Sequence, residues 1–172
     1  LRDVLLKDKK LKRLLVKSVS FTTRKARSKE VDKKDYFFIS RRQFKRLLGL
    51  KNILEWTKYL GYYYGTARDF IEAQLKKSRS LVLCLDLKGA LRIKELYPKN
   101  AVTIFIMPPS LEELARRIEN RHRETIKEEI TKRLRLAKRE MSSAKEFDFC
   151  VVNNDLVQAV KVLKGIIAKK IT

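Results

Sequence analysis

Two nearly continuous apolar runs, SLVLCLDL (80–87) and AVTIFIM (101–107), constrain the fold of this chain most. Runs of this length are typical of parallel strands buried on both faces, because helices cover both sides of a parallel sheet. Each run is followed by a helical pattern, and a further strand–helix pair, beginning with FDFCVVN, closes the chain. The alternation predicts an α/β domain with a mainly parallel central sheet flanked by helices, and ligands beyond the carboxyl ends of its strands.

Shorter signals divide the rest of the chain. VKSVSFT (16–22) alternates with period two and predicts one strand, DYFFIS (35–40) predicts another, and NILEWTKYLGYYYGTA (52–67) predicts a hairpin. Helix N-termini are indicated by side chains that cap the first turn: Ser40 with Gln43, Ser110 with Glu113, Thr125 with Glu128, and Asp155.

Composition limits the function classes. A length of 172 residues suits one domain, 1–172, and the net charge of +22 favours anionic partners: nucleotides, nucleic acid or acidic membrane surfaces. No apolar run reaches the 18 residues of a membrane span, so we expect a cytoplasmic protein without a membrane partner. Cys84 and Cys150 lie in apolar runs without metal-ligand spacing, which predicts reduced core thiols and neither a disulfide nor zinc.

The segment SVSFTTRKAR (18–27) ends a predicted strand with two arginines three residues apart. Arginine forks fit phosphate, and tyrosine hydroxyls donate to the same oxygens, so Arg24 and Arg27 with Tyr36 and Tyr64 would form a site for a phosphomonoester. A solvated basic turn explains the arginines alone equally well. Both interpretations stay open at this point.

Glu55 lies between Leu54 and Trp56 in an apolar run, where an unpaired carboxylate is costly. A lysine or arginine would satisfy it. Guanine would also satisfy it, because its ring N–H and exocyclic amino group are adjacent donors that match two carboxylate oxygens, a pair that adenine lacks. The Thr66 hydroxyl would then be placed to donate to the guanine carbonyl.

Taken in order and spacing, these segments resemble guanylate kinases over almost the whole chain: SVSFTTRKARSKEVDKKDYFF, LEW, YYYGT, LCLDLKGA, IFIMPPSLEELARRI and VVNNDL. The resemblance implies phosphoryl transfer from ATP to GMP, with Mg²⁺ entering as the ATP complex. It also implies a P-loop kinase-like fold with a small mixed β GMP-binding subdomain at about 31–66 and a helical lid at about 117–133.

The same resemblance assigns roles to particular positions. It implies that the GMP phosphate is bound by Arg24, Arg27, Tyr36 and Tyr64, and that the base is bound by Ser20, Glu55 and Thr66. It also implies that Glu30 orients the arginines and that Asp86 lies near the metal and the acceptor. On the ATP side it implies Arg117, Arg121 and Arg133 in or beside the lid, and Asn153 beside adenine. Catalysis is assigned to Arg24, Arg133 and Asp86.

The chain departs from the family pattern in several places. Ala26 and Lys29 replace a proline and a glycine in the arginine turn, Cys84 replaces the first acidic residue before Asp86, and Lys88 replaces a glutamine. The lid around His122 lacks its Arg-Gly-Thr, so the single histidine is expected to be a surface or lid residue rather than a base. These changes leave acceptor binding intact and alter the ATP side.

No G-x-x-x-x-G-K-[ST] pattern occurs in the sequence, and the chain opens inside the helix that follows this P-loop in the family. We therefore expect a copy truncated at its front, with the first central strand missing, an exposed sheet edge and self-association. Its turnover is expected to fall by about 10³- to 10⁵-fold, as when an arginine finger is lost. The alternatives are a non-catalytic guanylate kinase-like module that binds phosphopeptides and a basic nucleic-acid-binding protein, although no specific nucleic acid is expected.

Overall fold

The computed structural model describes residues 1–121 and 127–171, and its contacts divide the chain into two compact units. One unit is Arg2–Lys99, and the other runs from Asn100 onward together with Leu1. The first unit contains these elements: α1 Arg2–Lys7, α2 Leu11–Leu14, β1 Leu15–Lys17, β2 Phe21–Thr22, β3 Phe37–Phe38, α3 Arg41–Gly49, β4 Ile53–Tyr59, β5 Tyr62–Ala67, α4 Arg68–Lys76, β6 Ser80–Val82 and α5 Leu87–Leu96.

Two sheets form the first unit. The four-stranded mixed sheet has the order β3-β2-β5-β4, and a separate parallel pair joins β1 to β6. The prediction of one strand over 16–22 is wrong, because the chain changes sheet at its middle. The Ser18 amide still donates to Val82 of β6 (3.1 Å), whereas the Ser20 carbonyl already accepts from the Phe37 amide beside β2 (2.9 Å).

The predicted hairpin and its neighbouring helix are confirmed. β4 and β5 pair antiparallel around Gly61, whose φ of 85° requires glycine in the turn. Both halves of the capping box between Ser40 and Gln43 are present at the start of α3. This helix buries Phe44 completely against the ring of Tyr63, with 5.3 Å between ring centroids, and so holds the mixed sheet.

The second unit contains β7 Ile104–Met107, α6 Leu111–Arg121, α7 Lys127–Ser142, β8 Phe149–Val152 and α8 Leu156–Ile171. β7 and β8 pair in parallel, and the Ser110 and Asp155 caps are confirmed by bonds from the amides of Glu113 (3.1 Å) and Gln158 (2.8 Å). The predicted cap at Thr125 lies outside the described residues. Parallel strand pairs flanked by helices confirm the α/β class.

Three burial predictions are wrong. β7, predicted to be buried on both faces, contains no fully buried residue. β6 is only half-buried, because its ladder ends at Val82 and, in the described part of the chain, it pairs with β1 alone. Both cysteines are free but exposed rather than in the core. Cys84 lies beyond the end of β6, and Cys150 alternates with the buried Val151 on β8. Within the described ranges, no helix is long and apolar enough to cross a membrane.

Candidate functional site

A cavity of about 260 Å³ lies within the first unit, between the mixed sheet and the segment after β6. Five predicted site residues line it: Ser20, Tyr36, Glu55, Tyr64 and Asp86. Gly65 forms part of the wall, where a side chain would have no room: a Cβ there would lie 2.9 Å from Ile53 Cγ2 and 3.1 Å from the Phe44 ring. The fold therefore brings distant parts of this unit to one cavity.

Arg24 and Glu30 form a two-pronged ion pair beside this cavity. Arg24 Nη1 donates to Glu30 Oε2 (2.9 Å), and Nη2 donates to Oε1 (2.8 Å). The Arg27 amide donates to the same Oε2 (2.8 Å). The bond from Arg24, followed by that from Arg27, holds the pKa of Glu30 below its usual value. Glu30 thus fixes both the Arg24 side chain and the turn that carries Arg27, with the Arg27 guanidinium left half-exposed.

Aromatic rings position the Arg24 guanidinium from the other side. Its central carbon lies 5.6 Å from the Tyr36 ring centroid and 5.8 Å from that of Phe38, within cation–π range. The Tyr36 and Tyr64 rings meet edge to face at 6.0 Å. Burial raises the pKa of Tyr36, and Tyr64 raises it further, while Arg24 partly opposes them. Tyr36 is therefore a neutral hydroxyl donor at physiological pH.

Glu55 is 5% exposed and points its carboxylate at the cavity. Its Oε1 accepts a bond from the fully buried Thr66 hydroxyl at 2.5 Å. Among the described residues, no lysine or arginine pairs with it. Burial raises the pKa of the carboxyl, the bond from Thr66 lowers it, and the nearby charge of Asp86 raises it again. A buried carboxylate without a cation is suited to a ligand that brings its own donors.

Asp86 has a local structural task that the sequence did not indicate. It is the N-cap of α5, and its Oδ1 accepts a bond from the Gly89 amide (2.9 Å). The helix therefore begins at Leu87. This cap fixes the Asp86 carboxylate at the cavity wall, close enough to Glu55 to influence its titration.

Sequence reasoning missed three side chains at this site. Thr57 and Tyr59 line the cavity because they follow Glu55 with period two along β4, a signal that was available in the sequence. Arg2, from α1, lies close enough to lower the pKa of Tyr36, although burial remains the main influence on that group. No local pattern identified Arg2, because its proximity arises from tertiary packing.

The predicted ATP-side residues belong to the second unit. Arg117 donates through Nε to Glu113 (2.7 Å) and through Nη1 to the carbonyl of Asn153 (2.7 Å), so these two predicted residues lie together. Arg133 donates through Nε to Glu129 on α7 (3.0 Å). Arg121 is the last residue of α6, and His122 lies outside the described residues. The roles of these residues stay predictions.

Metal-ligating side chains do not cluster in the described ranges: no group of three or more His, Cys, Asp or Glu there could hold a metal ion. The predicted entry of Mg²⁺ with ATP stays a prediction.

Comparisons with known proteins extend over most of the chain. The family model described as guanylate kinase matches residues 1–170. The guanylate kinase of Caldanaerobacter subterraneus is 43% identical over 150 residues, which are 87% of this chain and 72% of that protein. That of Halalkalibacterium halodurans is 41% identical with the same coverage. The crystal structure of guanylate kinase from Anaplasma phagocytophilum matches with a TM-score of 0.80 and 36% identity, over 95% of this chain and 80% of that one. The fold, the site geometry and these similarities together show that the chain belongs to the guanylate kinase family.

Proposed function

We propose that the cavity of the first unit binds GMP, the acceptor in the family reaction that transfers the terminal phosphoryl group of ATP. One observation carries this proposal: the Glu55 carboxylate is buried at the cavity, held on one oxygen by Thr66 and paired with no described cation. Guanine offers two adjacent donors to such a carboxylate, and adenine does not. The site is thereby suited to guanine in particular.

The phosphate end of the ligand fits the cluster of Arg24, Arg27, Tyr36 and Tyr64. Arg24 is already oriented by Glu30 and by two aromatic rings, so little side-chain entropy is lost when it contacts phosphate. The Tyr36 ring lies against Arg24 and meets the Tyr64 ring edge to face, so both tyrosines would offer hydroxyl donors near the phosphate. A ligand that places a phosphomonoester beside these arginines and a guanine beside Glu55 would be a guanosine monophosphate.

The residues would act by binding and orientation. Phosphoryl transfer depends on positioning and charge stabilisation, with little covalent work by the protein. Arg24 would hold the accepting phosphate and offset its charge, and Ser20 would contact the base. Thr66, predicted to contact the base, would instead act through the Glu55 carboxylate that it holds, because it is fully buried and donates its hydroxyl to Glu55. Asp86 would order the cavity wall beside the base. In the second unit, Arg117, Arg121 and Arg133 are the cations proposed for the donor, with Asn153 beside adenine. Mg²⁺ would supply charge neutralisation as part of the ATP complex.

The proposal for this 172-residue chain centres on the acceptor site. The sequence contains no G-x-x-x-x-G-K-[ST] pattern to cradle the donor phosphates, and weak turnover stays a prediction. A cytoplasmic location stays a prediction as well.

A calorimetric titration with GMP and, separately, with AMP tests the acceptor site. At about 0.15 M salt, where diffuse attraction to the net charge of +22 is screened, GMP is expected to bind at one saturable site. AMP is expected to bind about 10²-fold more weakly, because its base leaves the Glu55 carboxylate without donors. Equal affinities, or no GMP binding by protein shown to be folded, would refute the proposal.

Acidification is expected to weaken GMP binding through Glu55. Because burial raises the pKa of this carboxyl, it takes up a proton at a higher pH than an ordinary glutamate and then loses an acceptor for guanine. Without ligand, the same shift means that the folded state binds the proton more tightly than the unfolded state. Stability without GMP therefore falls as the pH rises from the unfolded to the folded pKa of Glu55, whereas GMP affinity rises.

The measurement is the Kd for GMP between about pH 8 and about pH 5, in the wild type and in Glu55→Gln. The GMP phosphate itself titrates at about pH 6 and affects the Kd of both proteins equally. The difference between the two pH profiles therefore gives the contribution of Glu55 ionisation. Parallel profiles would show that the ionisation of Glu55 is not used in binding.

A further inference from the structure

We propose that Gly89 is a positioning residue for guanine recognition: its lack of a side chain lets the first turn of α5 pack directly against the Glu55 carboxylate and hold it in line with the base. This inference rests on the proposed function for its effect on binding. Its packing component can be tested without any ligand.

The geometry around Gly89 leaves no room for a methyl group. A Cβ at this position would lie 2.6 Å from Glu55 Oε2, 3.2 Å from Glu55 Cδ and 3.2 Å from Asp86 Oδ1. Its backbone does not itself require glycine, because Gly89 lies in the first turn of α5 and, among the described glycines, only Gly61 has a positive φ. The need for glycine is therefore steric and arises from the two carboxylates.

Neither carboxylate can retreat without losing a bond. Glu55 Oε1 is bonded to the Thr66 hydroxyl, so a shift of the carboxylate stretches or breaks that bond. Asp86 Oδ1 is bonded to the amide of Gly89 itself. An added methyl group must therefore push Glu55 toward the cavity or lift the start of α5, and either movement misaligns the oxygens that guanine needs.

Gly49 offers a matched control in the same unit. It is the last residue of α3, and a Cβ built there meets nothing within 4 Å. Gly49→Ala therefore makes the same chemical change at a helical position without a steric consequence. Alanine also has the higher helix propensity, so the intrinsic effect of both substitutions on helix stability is favourable.

The binding test compares Gly89→Ala and Gly49→Ala with the wild type by calorimetry, using GMP and AMP. Gly89→Ala is expected to weaken GMP binding by about tenfold to hundredfold and to reduce the preference over AMP, because a charged hydrogen bond is misaligned. Gly49→Ala is expected to leave both Kd values unchanged. A purely structural role would lower the fraction of protein that binds but would leave the Kd ratio intact, and that result would overturn the proposal.

The packing test is a double-mutant cycle on Tm without ligand, using Glu55→Ala as the second change. Gly89→Ala is expected to lower the Tm of the wild type much more than that of Glu55→Ala, where the two Glu55 atoms are gone and only the 3.2 Å approach to Asp86 Oδ1 remains. Equal decreases in Tm in the wild-type and Glu55→Ala backgrounds would overturn the inference. Failure of Gly89→Ala to fold in both backgrounds would overturn it as well. Folding only in the Glu55→Ala background would support it. If the wild type did not bind GMP more tightly than AMP, the proposed function would be refuted. The Tm cycle would still show whether Gly89 packs against the Glu55 carboxylate.

Discussion

Replacing Glu55 by Gln is expected to weaken GMP binding by about 10²- to 10⁴-fold, the value of two hydrogen bonds to a charged group. Glutamine has nearly the same shape, but it presents at most one acceptor and adds an amide donor that would face a donor of guanine. AMP binding is expected to change little, because the adenine base makes no use of the carboxylate. The preference for GMP over AMP should therefore nearly disappear, as calorimetry with both nucleotides would show.

Two controls separate this result from unfolding or a general charge effect. The Tm of Glu55→Gln is expected to equal or exceed that of the wild type, because the substitution removes a charge whose burial is unfavourable. Glu95→Gln removes one negative charge from an exposed pair with Arg92 and should leave both Kd values unchanged. Unaltered GMP affinity in Glu55→Gln would show that another group recognises the base.

Replacing Arg24 by Ala is expected to lower GMP affinity by about 10²- to 10³-fold while leaving guanosine affinity unchanged. The guanidinium supplies charged donors to phosphate, and guanosine has no phosphate to lose. Arg24→Lys is expected to restore little, because an ammonium cannot make the two-pronged pair with Glu30 that orients the arginine. Titrations of each variant with GMP and guanosine provide the comparison.

The stability of Arg24→Ala has to be measured alongside its affinities, because the Glu30 carboxylate loses the Arg24 guanidinium, its main partner. We expect the free energy of unfolding of Arg24→Ala to fall by about 1–3 kcal/mol. Arg42→Ala, at an exposed position on α3, changes the net charge equally and should alter neither binding nor stability. Equal losses of GMP and guanosine affinity in Arg24→Ala would mean that Arg24 supports the whole cavity rather than the phosphate.

Much of this geometry could be predicted from the sequence because its signals are local. Aromatic and β-forming residues around Gly61 predicted the hairpin that carries Glu55 and Thr66, and capping residues placed the starts of α3, α6 and α8. The chemical types of Arg24, Glu55 and Tyr64 indicated phosphate and guanine, and the structure brings them to one cavity and its rim. Their roles still await measurement.

Tertiary contacts account for what the sequence could not show. The break between β1 and β2 arises because β1 pairs with β6 whereas β2 pairs with β3 and β5. The alternation of polar and apolar residues is the same before and after this break, so it could not reveal the change of sheet. Cys84 was expected in the core because its run is apolar, but the ladder ends two residues earlier. The sequence assigned no role to Gly89, although it lies in the segment LCLDLKGA, because its significance is a distance to Glu55, a residue 34 positions away in the sequence.

The change of sheet at residues 18–20 has a consequence for the folded state. Glu55, Tyr64 and Tyr36 come from the mixed sheet or its border, whereas Cys84 and Asp86 follow the parallel pair, so the cavity lies along the seam between two separately bonded sheets. At β1–β2 only three residues of backbone cross this seam. A guanine bound there would contact residues of both sheets and fill the space between them, as a buried side chain does elsewhere in the core. When the nucleotide dissociates, the packing between the two sheets would lose those contacts.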